Sequence, residues 1–203
     1  MEKKWFTVKK IYPNIWGFGE FDHNEKVISY LFVGKTKALL FDTGMGIGNI
    51  SLEIKRITKL PITVVNSHSH FDHIGGNYLF SKVLSFKKRT IIKLSPFSFK
   101  VILTPGHTPD SICLYEQSHK LLLAGDTLYP GPIYLHFQES DYKKYLQSIK
   151  KLLRIKTIKG ILPGHNNFSM KPSLIKTITK KMRNVGDKNY LKIDVSTSLL
   201  LKQ

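Results

Sequence analysis

Short apolar runs separated by polar breaks set a strand-like rhythm at the start of the chain. Trp5–Ile11, Ile15–Phe21, Val27–Val33 and Ala38–Phe41 are strand-length, with Pro13-Asn14, His23-Asn24 and Gly34-Lys35 as turn signals between them. Together they predict a β-meander. The rhythm then changes. Leu52, Ile54, Ile57 and Leu60 recur at near-helical spacing, and Pro61 starts the apolar strand Ile62–Val65. Asn77–Val83, after Gly75-Gly76, reads as a short helix or turn. Strands are predicted at Thr90–Leu94, Phe99–Leu103, Ile112–Tyr115 and Leu121–Ala124. Asp141–Ile155 carries the apolar stripe Tyr145, Ile149, Leu152 and Leu153, with Asp141 suited to the positive end of a helix dipole. The strand Ile158–Leu162, the amphipathic helix Pro172–Met182 and a closing strand Ile193–Leu201 complete the pattern. No repeat of fixed period is present, and two strand-rich halves each followed by helices predict a layered α/β sandwich.

Composition narrows this picture. A chain of 203 residues supports one well-buried core, so a single domain over residues 1–203 is expected. Hydrophobic residues at 41% and aromatics at 11% exclude a disordered polymer. The longest apolar runs, such as Leu121–Ala124, are strand-sized, so no transmembrane segment is expected. Charge without a following apolar stretch at Met1–Trp5 lacks the form of a secretory signal. Cys113 is the only cysteine and excludes an internal disulfide. A cytoplasmic location is the expectation.

The formal charge of +18 would attract nucleic acid, an anionic membrane or an acidic small molecule. Only Arg56, Arg89, Arg154 and Arg183 offer the planar fork that reads phosphate and base edges. The remaining basic residues are lysines spread along the chain. This favours a solvated Lys-rich surface and an anionic small-molecule substrate over a nucleic-acid groove. No feature of the pattern specifies an oligomeric state.

The run His68-Ser69-His70-Phe71-Asp72-His73 carries the candidate chemistry. In an extended loop, side chains two apart point the same way, so His68 and His70 can converge on one ion. Asp72 and His73, past a turn, can face a neighbouring ion. Imidazole nitrogen and carboxylate oxygen suit Zn²⁺ and also admit Fe or Mn, and three protein ligands leave a position open for water. Three further donors each follow a predicted strand: His107 in Pro105-Gly106-His107-Thr108, Asp126 in Gly125-Asp126-Thr127, and His165 in Pro163-Gly164-His165. Singly, such residues are ordinary turn or surface positions. Cys113 lies within a strand and reads as core.

Taken in order with Asp42-Thr43-Gly44, these motifs resemble the metallo-β-lactamase superfamily over nearly the whole chain. The resemblance implies a four-layer αββα sandwich with two divalent metal ions at one rim of its packed sheets. His68, His70 and His107 would hold one ion and Asp72, His73 and His165 the other, with Asp126 bridging and Asp42 supporting from behind. Asp72 and Asp126 would be the catalytic carboxylates, and the nucleophile a hydroxide shared by the ions. β-Lactamases of this fold generally carry Cys or Ser at the bridging position, whereas glyoxalase II, thioesterases, lactonases and processing ribonucleases keep Asp. His107–Tyr115, Gly125–Tyr129 and Ser196–Leu201 look like the glyoxalase II-like and acyl-thioesterase branch.

The tail after His165 is short for the helical substrate domain of glyoxalase II. Hydrolysis of a thioester or related ester is what the resemblance to that branch implies. The alternatives are a metal-dependent ribonuclease or phosphodiesterase, a promiscuous β-lactamase activity, and a non-catalytic metal-binding scaffold. Tyr129, Tyr134, His136 and Phe137, in a Pro/Gly-rich loop, are candidate substrate contacts or anchors of that loop on the core.

Overall fold

Ile112–Glu116 and Leu121–Gly125 are buried at every position, so each strand needs cover on both faces. The computed structural model, which describes residues 4–88, 90–184 and 192–194, supplies it with a second sheet on one side and helices on the other. One sheet runs in chain order through β1 (Thr7–Tyr12), β2 (Ile15–Gly19), β3 (Ile28–Val33), β4 (Ala38–Phe41), β5 (Ile62–Val65) and β6 (Val83–Leu84). The first four strands form the expected antiparallel meander. Helix α1 (Ile50–Ile57) connects β4 to β5, and β4, β5 and β6 pair in parallel.

The other sheet is built from β7 (Ile91–Leu94), β8 (Phe97–Leu103), β9 (Ile112–Glu116), β10 (Leu121–Gly125) and β12 (Gly160–Pro163), with β12 at the edge beside β10. Between β10 and β12 the chain forms β11 (Pro132–Tyr134) and helix α3 (Tyr142–Leu153). Helix α4 (Ser173–Asn184) and β13 (Lys192–Asp194) follow, and β13 pairs with β11 outside both sheets.

Strand alternation sorts the side chains into layers. Leu121 and Leu123 of β10 enter the cluster between the sheets with Phe32, Phe41 and Phe99, while Leu122 and Ala124 face Tyr145, Ile149 and Ile178 of α3 and α4. Across the first sheet, Leu31, Leu40 and Val64 cover Ile50 and Ile54 of α1. The result is the αββα sandwich. Leu123 is fully buried, so its truncation to Ala would cost about 2–5 kcal/mol.

Several boundaries differ from expectation for local reasons. Helix α1 starts two residues early because Asn49 caps it, its side chain accepting from the Leu52 N–H, and it ends where Thr58 turns extended. Ile158, expected in a strand, packs with the helical layer, and the strand occupies Gly160–Pro163. Of the closing strand Ile193–Leu201, only residues up to 194 are among those described; they pair with β11. The remainder lies outside the described residues.

Strand direction positions the site. β8, β10 and β12 run the same way, since β9 is antiparallel to both of its neighbours and β12 is parallel to β10. Asp42 follows β4, His68 follows β5, His107 follows β8, Asp126 follows β10 and His165 follows β12. Five strand ends therefore deliver these side chains to one rim.

Candidate metal centre

The histidine run begins where the two sheets are tied together. Ser67 donates its N–H to Asp42 Oδ1 at 2.6 Å, and its carbonyl accepts the Ile112 N–H at 2.8 Å. His70 remains extended, as an extended loop requires, but the turn that follows is a helical one, α2 (Phe71–Ile74). That single turn buries Asp72 and His73 and leaves Phe71 64% exposed. Asp126 follows Gly125, whose φ is +48°; a Cβ there would stand 2.4 Å from Ser67 Cβ, so glycine alone permits this approach. A Cβ on Gly164 would lie 2.8 Å from Asp126 Oδ1, and its absence lets His165 close on that carboxylate.

Each of the five histidines has one ring nitrogen engaged outside the centre. His73 Nδ1 is 2.9 Å from Asp42 Oδ2, His107 Nδ1 is 2.8 Å from the Tyr134 carbonyl, and His165 Nδ1 is 2.6 Å from the Glu25 carbonyl. His70 Nε2 is 3.0 Å from Glu139 Oε1. These four partners only accept, so the outer nitrogen carries the proton and the inner one presents a lone pair. His68 Nδ1 meets Ser67 Oγ at 2.9 Å.

The inner atoms crowd together. His70 Nδ1 is 3.0 Å from His107 Nε2, and His73 Nε2 is 3.2 Å from His165 Nε2, lone pair facing lone pair. Asp126 Oδ1 is 3.0 Å from both His73 Nε2 and His165 Nε2, and its Oδ2 is 3.4 Å from His107 Nε2. Asp72 Oδ2 is 3.5 Å from His73 Nε2 and from His165 Nε2. Three donor sets result: His68, His70 and His107; His68, His73 and Asp126; and Asp72, His73 and His165.

These contacts fit divalent cations. Among the described residues, His68 Nε2 and Asp126 Oδ1 are buried without hydrogen-bond geometry to any partner. A cation resolves both the orphaned atoms and the opposed lone pairs, and the nitrogen and carboxylate donors suit Zn²⁺, Fe or Mn. Electrostatically, the carboxylates draw positive charge into the centre. Burial works to raise the Asp126 pKa, but His165 and His73 outweigh it and hold the carboxyl well below the usual range. Burial lowers His68 well below the ordinary imidazole value, with His73 adding to the effect. At His73 the pull of burial is overcome by Asp126, Asp42 and Asp72, which raise it well above that value.

A cavity of about 490 Å³ opens over this centre, lined by Phe71, Tyr129, Tyr134, Phe137, Pro132, Asn24, Asn166, Glu25 and Glu139 together with His70, Asp72, His107, Asp126 and His165. Its wall is aromatic and amide-rich, and no Lys or Arg is among these lining residues.

The family model described as "Metallo-beta-lactamase superfamily" matches residues 26–99 and 83–165. The chain belongs to the metallo-β-lactamase superfamily. Hydroxyacylglutathione hydrolase GloC of Haemophilus influenzae is 36% identical over 184 residues, covering 70% of this chain and 85% of the relative. Acyl-coenzyme A thioesterase MBLAC2 of Gallus gallus is 23% identical over 227 residues, covering 81% of this chain and 82% of the relative. A solved metallo-beta-lactamase from Pontibacter korlensis superposes with a TM-score of 0.74 at 20% identity, covering 89% of this chain and all of that one. This protein is a metallo-hydrolase of the superfamily, with thioesterase and glyoxalase II-like relatives.

In this hydrolase the residues singled out from sequence divide clearly. His68, His70, Asp72, His73, His107, Asp126 and His165 converge, and Asp42 stands directly behind His73. Tyr129, Tyr134 and Phe137 line the cavity. Tyr129 also anchors the loop, its hydroxyl donating to the Pro132 carbonyl. His136 is not among the lining residues; it is exposed and stacks on Phe137 with ring centroids 4.5 Å apart. Phe71, Glu139, Asn24 and Asn166 were not singled out from sequence. Phe71 did carry a signal, an aromatic set between metal-type residues. Cys113 is core, as expected; burial pushes its thiol up to about 11, and it donates to the Ala124 carbonyl. Among the described residues, no helix is long and apolar enough to cross a membrane.

Proposed function

We propose that this hydrolase cleaves thioesters on a centre of two divalent ions, Zn²⁺ being the expected metal. His68, His70 and His107 would hold one ion, Asp72, His73 and His165 the other, and Asp126 would serve both. The position of Asp126 carries the reading: one oxygen faces His73 and His165 and the other faces His107. When bound, such ions supply Lewis acidity that brings a water's pKa toward neutrality and polarises an acyl carbonyl. The protein's own groups then do the positioning. Asp42 and the Glu25 carbonyl hold His73 and His165 in the tautomer that turns Nε2 inward.

Phe71, Tyr134 and Phe137 form an apolar wall for the acyl group, placing its carbonyl over the donors. A thiolate leaves without needing a proton, so no further acid is required of the wall. An anionic carrier on the thiol would extend beyond this wall, which has no Lys or Arg among its described lining residues. The relatives support this choice of substrate, since one is named a hydroxyacylglutathione hydrolase and another an acyl-coenzyme A thioesterase.

The test is turnover by metal-replete protein of S-lactoylglutathione, acyl-CoA esters, a chromogenic cephalosporin and structured RNA, with the double variant His70→Ala, Asp126→Ala as blank. Thioester turnover well above the blank is expected. A blank equal to wild type on every substrate, or turnover confined to RNA or cephalosporin, contradicts the reading.

A further inference from the structure

Glu139 lies outside every recognisable motif, yet it touches the centre. Its Oε1 is 3.0 Å from His70 Nε2, across 69 residues of chain, and its side chain is 44% exposed. An exposed pair of this kind adds little to overall stability, so its consequence is local. With Nε2–H held outward, Nδ1 is the only nitrogen left to His70 for the centre. It is Nδ1 that stands 3.0 Å from His107 Nε2.

His70 needs such a partner more than the other histidines do. It is the one histidine of the five that is not buried, and among the described residues only Glu139 is bonded to its outer nitrogen. The same stretch of chain grips His107. The Tyr134 carbonyl faces His107 Nδ1 at 2.8 Å, Ser140 Oγ donates to the His107 carbonyl at 2.8 Å, and the Asp141 N–H donates to the Gly106 carbonyl at 2.7 Å. The Phe137 ring packs edge-on against His70, with centroids 5.0 Å apart. One segment, residues 134–141, thus stands behind both His70 and His107 while also forming part of the cavity wall.

We propose that Glu139 is a positioning residue for His70, and that through it the segment 134–141 sets the strength of the ion position formed by His68, His70 and His107 separately from that of Asp72, His73 and His165. The inference rests on the reading of these residues as a two-ion centre. It separates Glu139 from an ordinary surface carboxylate, whose removal would leave metal binding unchanged.

Zn²⁺ affinity is measured by competition with a chromophoric chelator for wild type, Glu139→Ala and Glu139→Gln, alongside the visible absorption of each protein loaded with Co²⁺. In Glu139→Ala one of the two binding steps weakens about tenfold, the low end for loss of an outer partner, and the Co²⁺ bands of one site change. Glu139→Gln keeps an acceptor oxygen and restores affinity to within about threefold of wild type. Thermal midpoints of all three stay together because the side chain is exposed. Two ions bound by wild type with Glu139→Ala unchanged, or with both steps weakened equally, overturns this inference alone. Fewer than two ions bound by wild type overturns the two-ion reading and this inference with it.

Discussion

The two halves of the centre use the same donors but stand on different supports. The deep half, Asp72, His73 and His165, is buried and backed by Asp42, itself fully buried, and by the carbonyl of Glu25, a residue of the cavity wall. The mouth half, His70 and His107, is backed by the exposed Glu139 and by the Tyr134 carbonyl, both in the segment that also lines the cavity. Asp42 follows strand β4 and is not among the cavity-lining residues, so His73 is braced apart from whatever fills the pocket. His70, His107 and His165 are braced by residues of the cavity wall.

The largest expected effect comes from removing what the halves share. Asp126→Ala should weaken binding of both ions and reduce turnover beyond the roughly 10–100-fold typical of losing an outer partner. Metal titration would break the comparison if only one step moved. Asp42→Ala should act on the deep half, weakening one binding step by roughly 10–100-fold. It should also destabilise the fold by about 1–3 kcal/mol, because the Ser67 N–H and His73 Nδ1–H lose a buried acceptor. Chemical denaturation checks the second figure.

Phe137→Ala tests the mouth as a substrate wall. KM for an acyl thioester should rise by roughly tenfold with kcat nearly unchanged, since uniform binding is removed and no charge is touched. A fall in kcat alone would place Phe137 in support of His70 and not in contact with substrate. The smallest effect belongs to Cys113. With its thiol pushed up to about 11 by burial, native protein at pH 8 should resist iodoacetamide and retain activity. Rapid inactivation by alkylation would place a reactive thiol near the chemistry.

The same contrast marks what could be read from sequence. The donors of both halves were legible because they sit in side-chain motifs at the ends of apolar strands: His68, His70, Asp72 and His73 in the run, His107 after Phe97–Leu103, Asp126 after Leu121–Gly125, His165 after Gly160–Pro163. The sandwich was legible for a related reason, since strands such as β9 and β10 are apolar at nearly every position and demand two covered faces. The supports of the mouth were hidden. A backbone carbonyl at Tyr134 leaves no trace in residue identity, and Glu139 meets His70 only through the course of the loop between β11 and α3. Helix α2 is four residues long, too short for periodicity to reveal, so the turn that inverts Asp72 and His73 could be placed but not named. β11 and β13 are three residues each, and Pro132 at the start of β11 reads as loop.

The central claim is that both halves act as one centre through Asp126. Chelator-stripped protein titrated with Zn²⁺, while thiol release from an acyl thioester is followed, tests it most directly. The account predicts turnover that climbs to a plateau at two ions per chain. Full turnover without added metal, or two bound ions with no thioester cleavage, would contradict it.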